Sequence, residues 1–334
     1  MAPPGAKYPP LRAAGLSYGR FLTGYRPFAP MQTQMDRILF GDNQFFGVNH
    51  MSEEKARSQS MRFQEIGAVI EVLDDAYAEG IRTFMCTTHE RIAEVCDHFR
   101  KNAGKYPGFK FYPCLPYAHK YANAAAELGV LGAVRSFLPQ ENALGALLKG
   151  GMSLARKDVE GLAGLLIDAE MKMFSGLATP VIFLQNVATD FLLGLGFDEA
   201  FRMFNDHVRA RYGAEPGFIT MNAPFLLQKL EKMGLGNPII CANINKIAFR
   251  MCGGMDAYEG MIRQGRSRLI AMSVFASGAL PAKEALDYVC QFPEIESIVF
   301  GASSRRNIAQ TKQLIDRLTP ARQAPRGQDA PRPQ

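Results

Sequence analysis

Short apolar runs separated by helical patterns dominate the chain between residues 31 and 318. Runs near Arg37–Gly41, Arg82–Met85, Phe109–Cys114, Pro180–Leu184, Phe218–Met221, Pro238–Cys241, Arg268–Met272 and Ser297–Phe300 predict eight strands. Their continuous apolar character, without alternation, is that of parallel strands buried on both faces. Between them the spacing predicts helices at Phe63–Glu79, with Ile66, Val69, Ile70, Leu73 and Tyr77 on one face, and at Arg91–Lys101, with Ile92, Val95 and Phe99. Further helices are expected at Asp198–Arg211, Pro224–Met233, Ala257–Arg263, Pro281–Val289 and Arg306–Leu318. Eight strands alternating with helices, and no GxGxxG at the first strand-to-helix turn, favour a closed (β/α)8 TIM barrel over an open doubly wound sheet.

The spacing is regular except between the third and fourth strands. Residues 115–179 hold more chain than one crossover needs, with helical patterns at Tyr121–Leu128 and Asp158–Phe174 around a Gly- and Leu-rich stretch. An enlarged loop at the end of strand three, a lid or substrate wall, is therefore expected beside the alternative of a structural helix pair. Residues 1–30 read as an N-terminal arm, 31–318 as the barrel, and 319–334, rich in Pro, Arg, Gln and Ala, as a disordered tail.

Composition changes this picture little. Apolar residues make up 47% of the 334, enough for one large core, and no uncharged apolar run reaches the ~18 residues of a membrane span. The first residues lack the apolar block of a secretory signal, and the six cysteines show no CxxC pairing, so a cytoplasmic protein with reduced thiols is expected. A net charge of +6 without Lys/Arg runs interleaved with aromatics excludes a nucleic-acid partner and suits an anionic or polar small molecule. A homo-oligomer stays open.

Several segments resemble the aldo-keto reductase superfamily in order and texture. Ile38–Gly47 is similar to its glycine-flanked opening, Gly80-Ile81-Arg82-Thr83-Phe84 to its second strand, and Ile219–Asn222 to the fifth. Ala271–Gly278 is similar to the seventh, and Pro293–Ser304, continuing to Asn307, to the eighth strand with its phosphate-binding loop. The resemblance implies an Asp, Tyr, Lys and His tetrad in which Tyr protonates a carbonyl and a nicotinamide delivers hydride. This chain departs from it. Met85 falls where the Asp is expected, Glu90 or His89 where the Tyr is, Cys114 and Leu115 where the Lys is, and Gln185 and Asn186 where the His is. Methionine cannot pair with a lysine or tune its pKa, so ordinary tetrad chemistry is not expected.

Three of the five histidines follow successive strands: His50, His89 and His119. Neighbouring strands lie about 4.8 Å apart, so loops from strands one to three can converge on one ion. Three imidazoles, or two with Glu90 or Asp42, suit iron(II) or zinc with an open position, and Cys86 or Cys114 is an alternative sulfur donor. The competing reading makes His89, Glu90 and Asp42 acid–base groups around an organic substrate. His98 and His207, on helices, read as surface or core residues.

Ser277 and Gly278 after strand seven, and Gly301, Ser303, Ser304 and Arg306 after strand eight, form a candidate phosphate site for a cofactor or substrate. Helix capping is the plainer role for the serines. Lys246 lies too far past strand six for a Schiff base, and Asn222, Asn243 and Asn245 either bind a polar heterocycle or sugar or simply end strands. The leading expectation is a metal-dependent, non-haem-iron oxidoreductase of small-molecule, specialised metabolism, acting on a phosphorylated or nucleoside- or sugar-like substrate. The alternatives are an NADPH-dependent reductase with a rearranged proton donor, a zinc-dependent hydrolase or isomerase, and a non-catalytic binding protein on the same scaffold. The ionisable rim argues against the last.

Overall fold

The computed structural model describes residues 33–47, 52–117 and 156–319. The proposed arm, the tail, the helix at Tyr121–Leu128 and most of the enlarged loop lie outside them, as do His50 and His119.

All eight expected strands form: β1 Ile38–Gly41, β2 Thr83–Thr87, β3 Lys110–Leu115, β4 Val181–Leu184, β5 Glu215–Thr220, β6 Ile239–Asn243, β7 Arg268–Met272 and β8 Ile295–Phe300. Each pairs in parallel with the next, and β1 closes on β8 through Ile38 opposite Ile298 and Phe40 opposite Phe300. The result is a closed (β/α)8-type barrel.

Ten helices surround it among the described residues: α1 Glu53–Arg62, α2 Ile66–Ala78, α3 Glu90–Lys101, α4 Arg156–Met171, α5 Asn186–Leu195, α6 Asp198–Tyr212, α7 Ala223–Lys232, α8 Gly254–Gln264, α9 Ala282–Cys290 and α10 Arg305–Leu318. The helix read as starting at Phe63 starts instead at Ile66. Phe63 lies in the bend after α1, fully buried, its ring edge-on to Phe45 at 5.0 Å. Helix α5 is an addition, because the reading above took Gln185 and Asn186 only as strand-end residues.

Two apolar layers hold the barrel. Alternate strand residues, among them Leu39, Met85, Tyr112, Phe183, Ile219, Cys241 and Ile270, fill the interior. The others, such as Phe40, Phe84, Phe111, Ile182, Phe218 and Ile240, pack under the helices. Both faces of each strand are therefore buried, which is why the strands read as unbroken apolar runs. Phe183 fits because β5 carries Gly217 beside it: a Cβ there would stand 2.3 Å from the Phe183 ring.

The floor of the barrel is ionic. Arg268 binds Glu296 through Nε at 2.9 Å and Glu215 through Nη1 at 3.2 Å, and it donates to the Thr33 carbonyl. Lys110 pairs with Asp36 at 2.8 Å, and Asp36 also accepts from the Thr83 hydroxyl. Sealing the strands' N-terminal ends in this way leaves their C-terminal ends as the open mouth, the end where barrels of this kind do chemistry.

Candidate active site

Continuing the inward alternation of β2, β3, β4, β6 and β8 brings Thr87, Cys114, Gln185, Asn243 and Gly301 to the mouth. Asp42 and Gln44, just past β1, join them.

Asp42 is buried, and its Oδ2 accepts from the Thr87 backbone N–H at 2.7 Å and the Thr87 hydroxyl at 2.8 Å. Burial raises its pKa, and the Thr87 hydrogen bonds offset this only in part. A carboxyl poised in this way exchanges protons closer to neutrality than a solvated one. Burial also pushes the thiols of Cys86 and Cys114 well up, with Asp42 adding to both. As free groups both are therefore protonated thiols.

His89 is the N-cap of α3, its Nδ1 accepting from the Arg91 backbone N–H at 3.0 Å. This cap fixes the tautomer, since a ring nitrogen that accepts leaves the other, Nε2, carrying the proton. The ring packs against Phe46, tilted by 31° at 4.3 Å, and meets the Tyr117 ring edge-on at 5.1 Å. Burial, then the Arg91 charge, lowers the His89 pKa, so the imidazole is neutral at physiological pH and presents Nε2–H as a donor. Glu90 begins α3 and is exposed, at the helix end where a carboxylate favours the macrodipole.

The sequence reading missed two residues of this cluster. Tyr117 follows β3, packs on His89 and has a pKa raised by burial and then by Asp42. Glu170 of α4 is buried, accepting from the Thr88 hydroxyl and from the Tyr117 backbone N–H at 3.1 Å. It thereby ties together the chain on both sides of His89. Pro116-Tyr117 at a strand end is a faint signal for the first, but none marks the second.

The anion loops lie across the mouth. Ser273, Ala276 and Ser277 after β7 adopt left-handed backbone angles, as does Gly278, whose Cβ position has nothing within 4 Å. After β8, Ser304 caps α10 by accepting from Asn307 N–H at 3.4 Å, and Arg305 pairs with Glu79. Arg306 is exposed at the same helix end, and no ion pair engages it among the described residues. Gly301 is occupied differently from expectation: a Cβ there would lie 2.0 Å from Gln44 Oε1, so the glycine makes room for that amide.

Other candidates are spent locally. Asn243 Nδ2 donates to the Arg250 carbonyl, and Asn245 exchanges two hydrogen bonds with the Phe249 backbone, so both build the β6 loop. Asn222 lines an outer groove of about 610 Å³ beside α7 and α8. Lys246 pairs with Glu284 at 2.6 Å on the surface, while His98 bonds Tyr106 and His207 bonds Asp168. Of the three histidines read as metal ligands only His89 is described, and among the described residues no three His, Cys, Asp or Glu gather closely enough to hold an ion. No helix among them is long and apolar enough to cross a membrane.

No family model matches the chain, and no curated protein matches it in sequence. Solved structures do. A putative aldo-keto reductase from Pseudomonas aeruginosa superposes with TM-score 0.53 at 10% identity, over 84% of this chain and 90% of that one. A second structure described in the same terms gives 0.52 at 9% identity over the same shares. An aldo-keto reductase from a Medee basin deep-sea metagenome library gives 0.49 at 10%, over 87% and 94%. The fold class is therefore a closed parallel (β/α)8 barrel. More particularly, its fold is like that of the two Pseudomonas aeruginosa structures described as putative aldo-keto reductases.

Proposed function

We propose that the protein is a small-molecule oxidoreductase that interconverts a carbonyl and an alcohol at the barrel mouth, using a nicotinamide dinucleotide. The observation that carries this reading is the pair formed by Asp42 and His89. One is a buried carboxyl whose pKa is raised and which Thr87 holds; the other, two residues beyond Thr87, is a neutral imidazole whose ring packs against Phe46 and Tyr117. An environment that raises a carboxyl towards neutral pH, with an imidazole held neutral, suits proton transfer. The fold shared with the Pseudomonas reductases supports the reaction class by analogy.

The residues present fit a dinucleotide. The α10 N-terminus with the exposed Arg306, which no ion pair engages among the described residues, suits a phosphate, and the left-handed turn at Ser277–Gly278 leaves open space above Gly278. When bound, the nicotinamide supplies or takes the hydride. His89 Nε2–H hydrogen-bonds the substrate oxygen and polarises it. Asp42 gives that oxygen its proton in reduction and recovers it in oxidation, while the Thr87 N–H and hydroxyl hold the carboxylate. Phe46 and Tyr117 shield the imidazole from water.

Titration with NADPH, followed by fluorescence and thermal shift, tests this. Saturable binding that weakens about tenfold in Arg306→Ala is expected for the loss of one phosphate contact. A wild type that does not bind NADPH sinks the reading. The metal alternative, iron(II) or zinc on His50, His89 and His119, requires Nε2 of His89 as a lone-pair donor. Its proton would then have to move to Nδ1, against the Arg91 N–H that Nδ1 now accepts. Stoichiometric iron or zinc in untagged wild type, lost in His89→Ala, would restore that alternative.

A further inference from the structure

The surroundings of His89 are gripped by a carboxylate that the proton transfer proposed above does not use. Glu170 is only 4% exposed. It accepts from the Thr88 hydroxyl and, through the same Oε2, from the Tyr117 backbone N–H at 3.1 Å. Thr88 immediately precedes His89, and the Tyr117 ring meets the imidazole edge-on at 5.1 Å. One oxygen thus holds both the residue that leads into His89 and the residue that walls its ring. On the other side Thr87 is held by Asp42, and the imidazole itself caps α3 through the Arg91 N–H.

Stability alone accounts poorly for this placement. Glu170 stands in the last turn of α4, the end at which the helix macrodipole disfavours a carboxylate, and its burial adds a desolvation cost. A neutral amide in the same place could accept the same two hydrogen bonds without either penalty. What the position does achieve is to join α4 to the ends of β2 and β3, where His89 and Tyr117 meet.

We propose that Glu170 is a positioning residue: through its hydrogen bonds to Thr88 and Tyr117 it sets where the His89 imidazole stands and keeps the Tyr117 ring closed over it. It acts by geometry and not by charge. The charges that act on His89 are those of Arg91 and Glu90 on its own helix, while Asp42 is taken up by Thr87. Its bearing on turnover rests on His89 polarising the substrate oxygen, as proposed above. A carboxylate acting by charge would favour the imidazolium, so removing it would lower the His89 pKa. One acting by position shields the ring, so removing it lets water reach the imidazole and raises that pKa towards the usual value of about 6.5.

Proton NMR of the histidine rings tests this, with the His89 signals assigned by their loss in His89→Ala. Glu170→Ala is expected to abolish the cross-peak between the His89 and Tyr117 rings and to raise the His89 pKa. Glu170→Gln, whose amide oxygen can accept both hydrogen bonds, is expected to leave cross-peak and pKa as in wild type. A fall in the pKa of both variants would make the effect one of charge and overturn the proposal. So would a Glu170→Ala protein that merely melts earlier, with its ring signals unchanged. Thr88→Val removes the hydroxyl donor while keeping the shape of the side chain, and it decides the matter if Glu170→Ala does not fold. A raised His89 pKa is expected there too, and unchanged ring signals overturn the proposal. No nucleotide enters these measurements, so a wild type that ignores NADPH loses the oxidoreductase reading while the raised pKa still supports the role of Glu170.

Discussion

Asp42 separates function from stability at a single residue. Its pKa is raised in the folded protein above the unfolded value of about 3.9. The stability it contributes is therefore complete below that unfolded value and is lost as pH rises through the folded one. Asparagine of the same shape does not titrate and can still accept from Thr87. Asp42→Asn is thus expected to gain stability relative to wild type as pH rises from about 4 to 8, read from urea unfolding at several pH values. Turnover should fall by about 10²–10⁴, the usual worth of a positioned proton donor. A variant that unfolds more easily at pH 8 than wild type would show that ionised Asp42 is held by more than Thr87. His89 runs the other way. Its lowered pKa contributes stability above the unfolded value of about 6.5, and that stability is lost as pH falls through the folded one. His89→Ala should also cost about 1 kcal/mol, because the α3 cap to Arg91 N–H is lost.

At the scale of elements, two glycines of similar tightness should behave differently. In Gly217→Ala the new Cβ would stand 2.3 Å from a Phe183 ring that is wholly buried and has nowhere to go. A loss of about 1–3 kcal/mol or more in chemical denaturation is expected. In Gly301→Ala the clash is with the far end of Gln44, which can swing aside. Stability should change less there than in Gly217→Ala. The same scale explains what the pattern concealed. The strands were legible because burial on both faces leaves them continuously apolar. Helix α5 was not, because it buries Thr189 and Leu193 and turns Val187, Phe191 and Leu195 outward at 54%, 65% and 65% exposure. Its apolar periodicity marks the solvent side, so a rule that assigns the apolar face to the core misplaces it.

Across the whole molecule, the two ends of the barrel carry different duties, and they differed in legibility for the same reason. Asp42 and His89 stand next to recognisable strand ends, whereas Glu170 reaches Thr88 across 82 positions of sequence and no local pattern encodes that meeting. The floor is concealed in the same way: Arg268 joins Glu215, Glu296 and the Thr33 carbonyl, each remote in sequence. Removing Arg268 while keeping its bulk, as in Arg268→Met, leaves Glu215 and Glu296 facing each other without the cation at a largely buried site. Breaking a buried pair from one side costs about 3–5 kcal/mol, more than the bridge itself is worth. A fall of that size is expected in urea unfolding, and replacing Glu215 and Glu296 with Gln in the same chain should recover part of it. Since the mouth lies at the other end of every strand, folded Arg268→Met should bind NADPH with wild-type affinity. If binding weakened along with stability, the floor and the mouth would be coupled through the strands, and the separation of a stabilising end from a reactive end would not hold for this barrel.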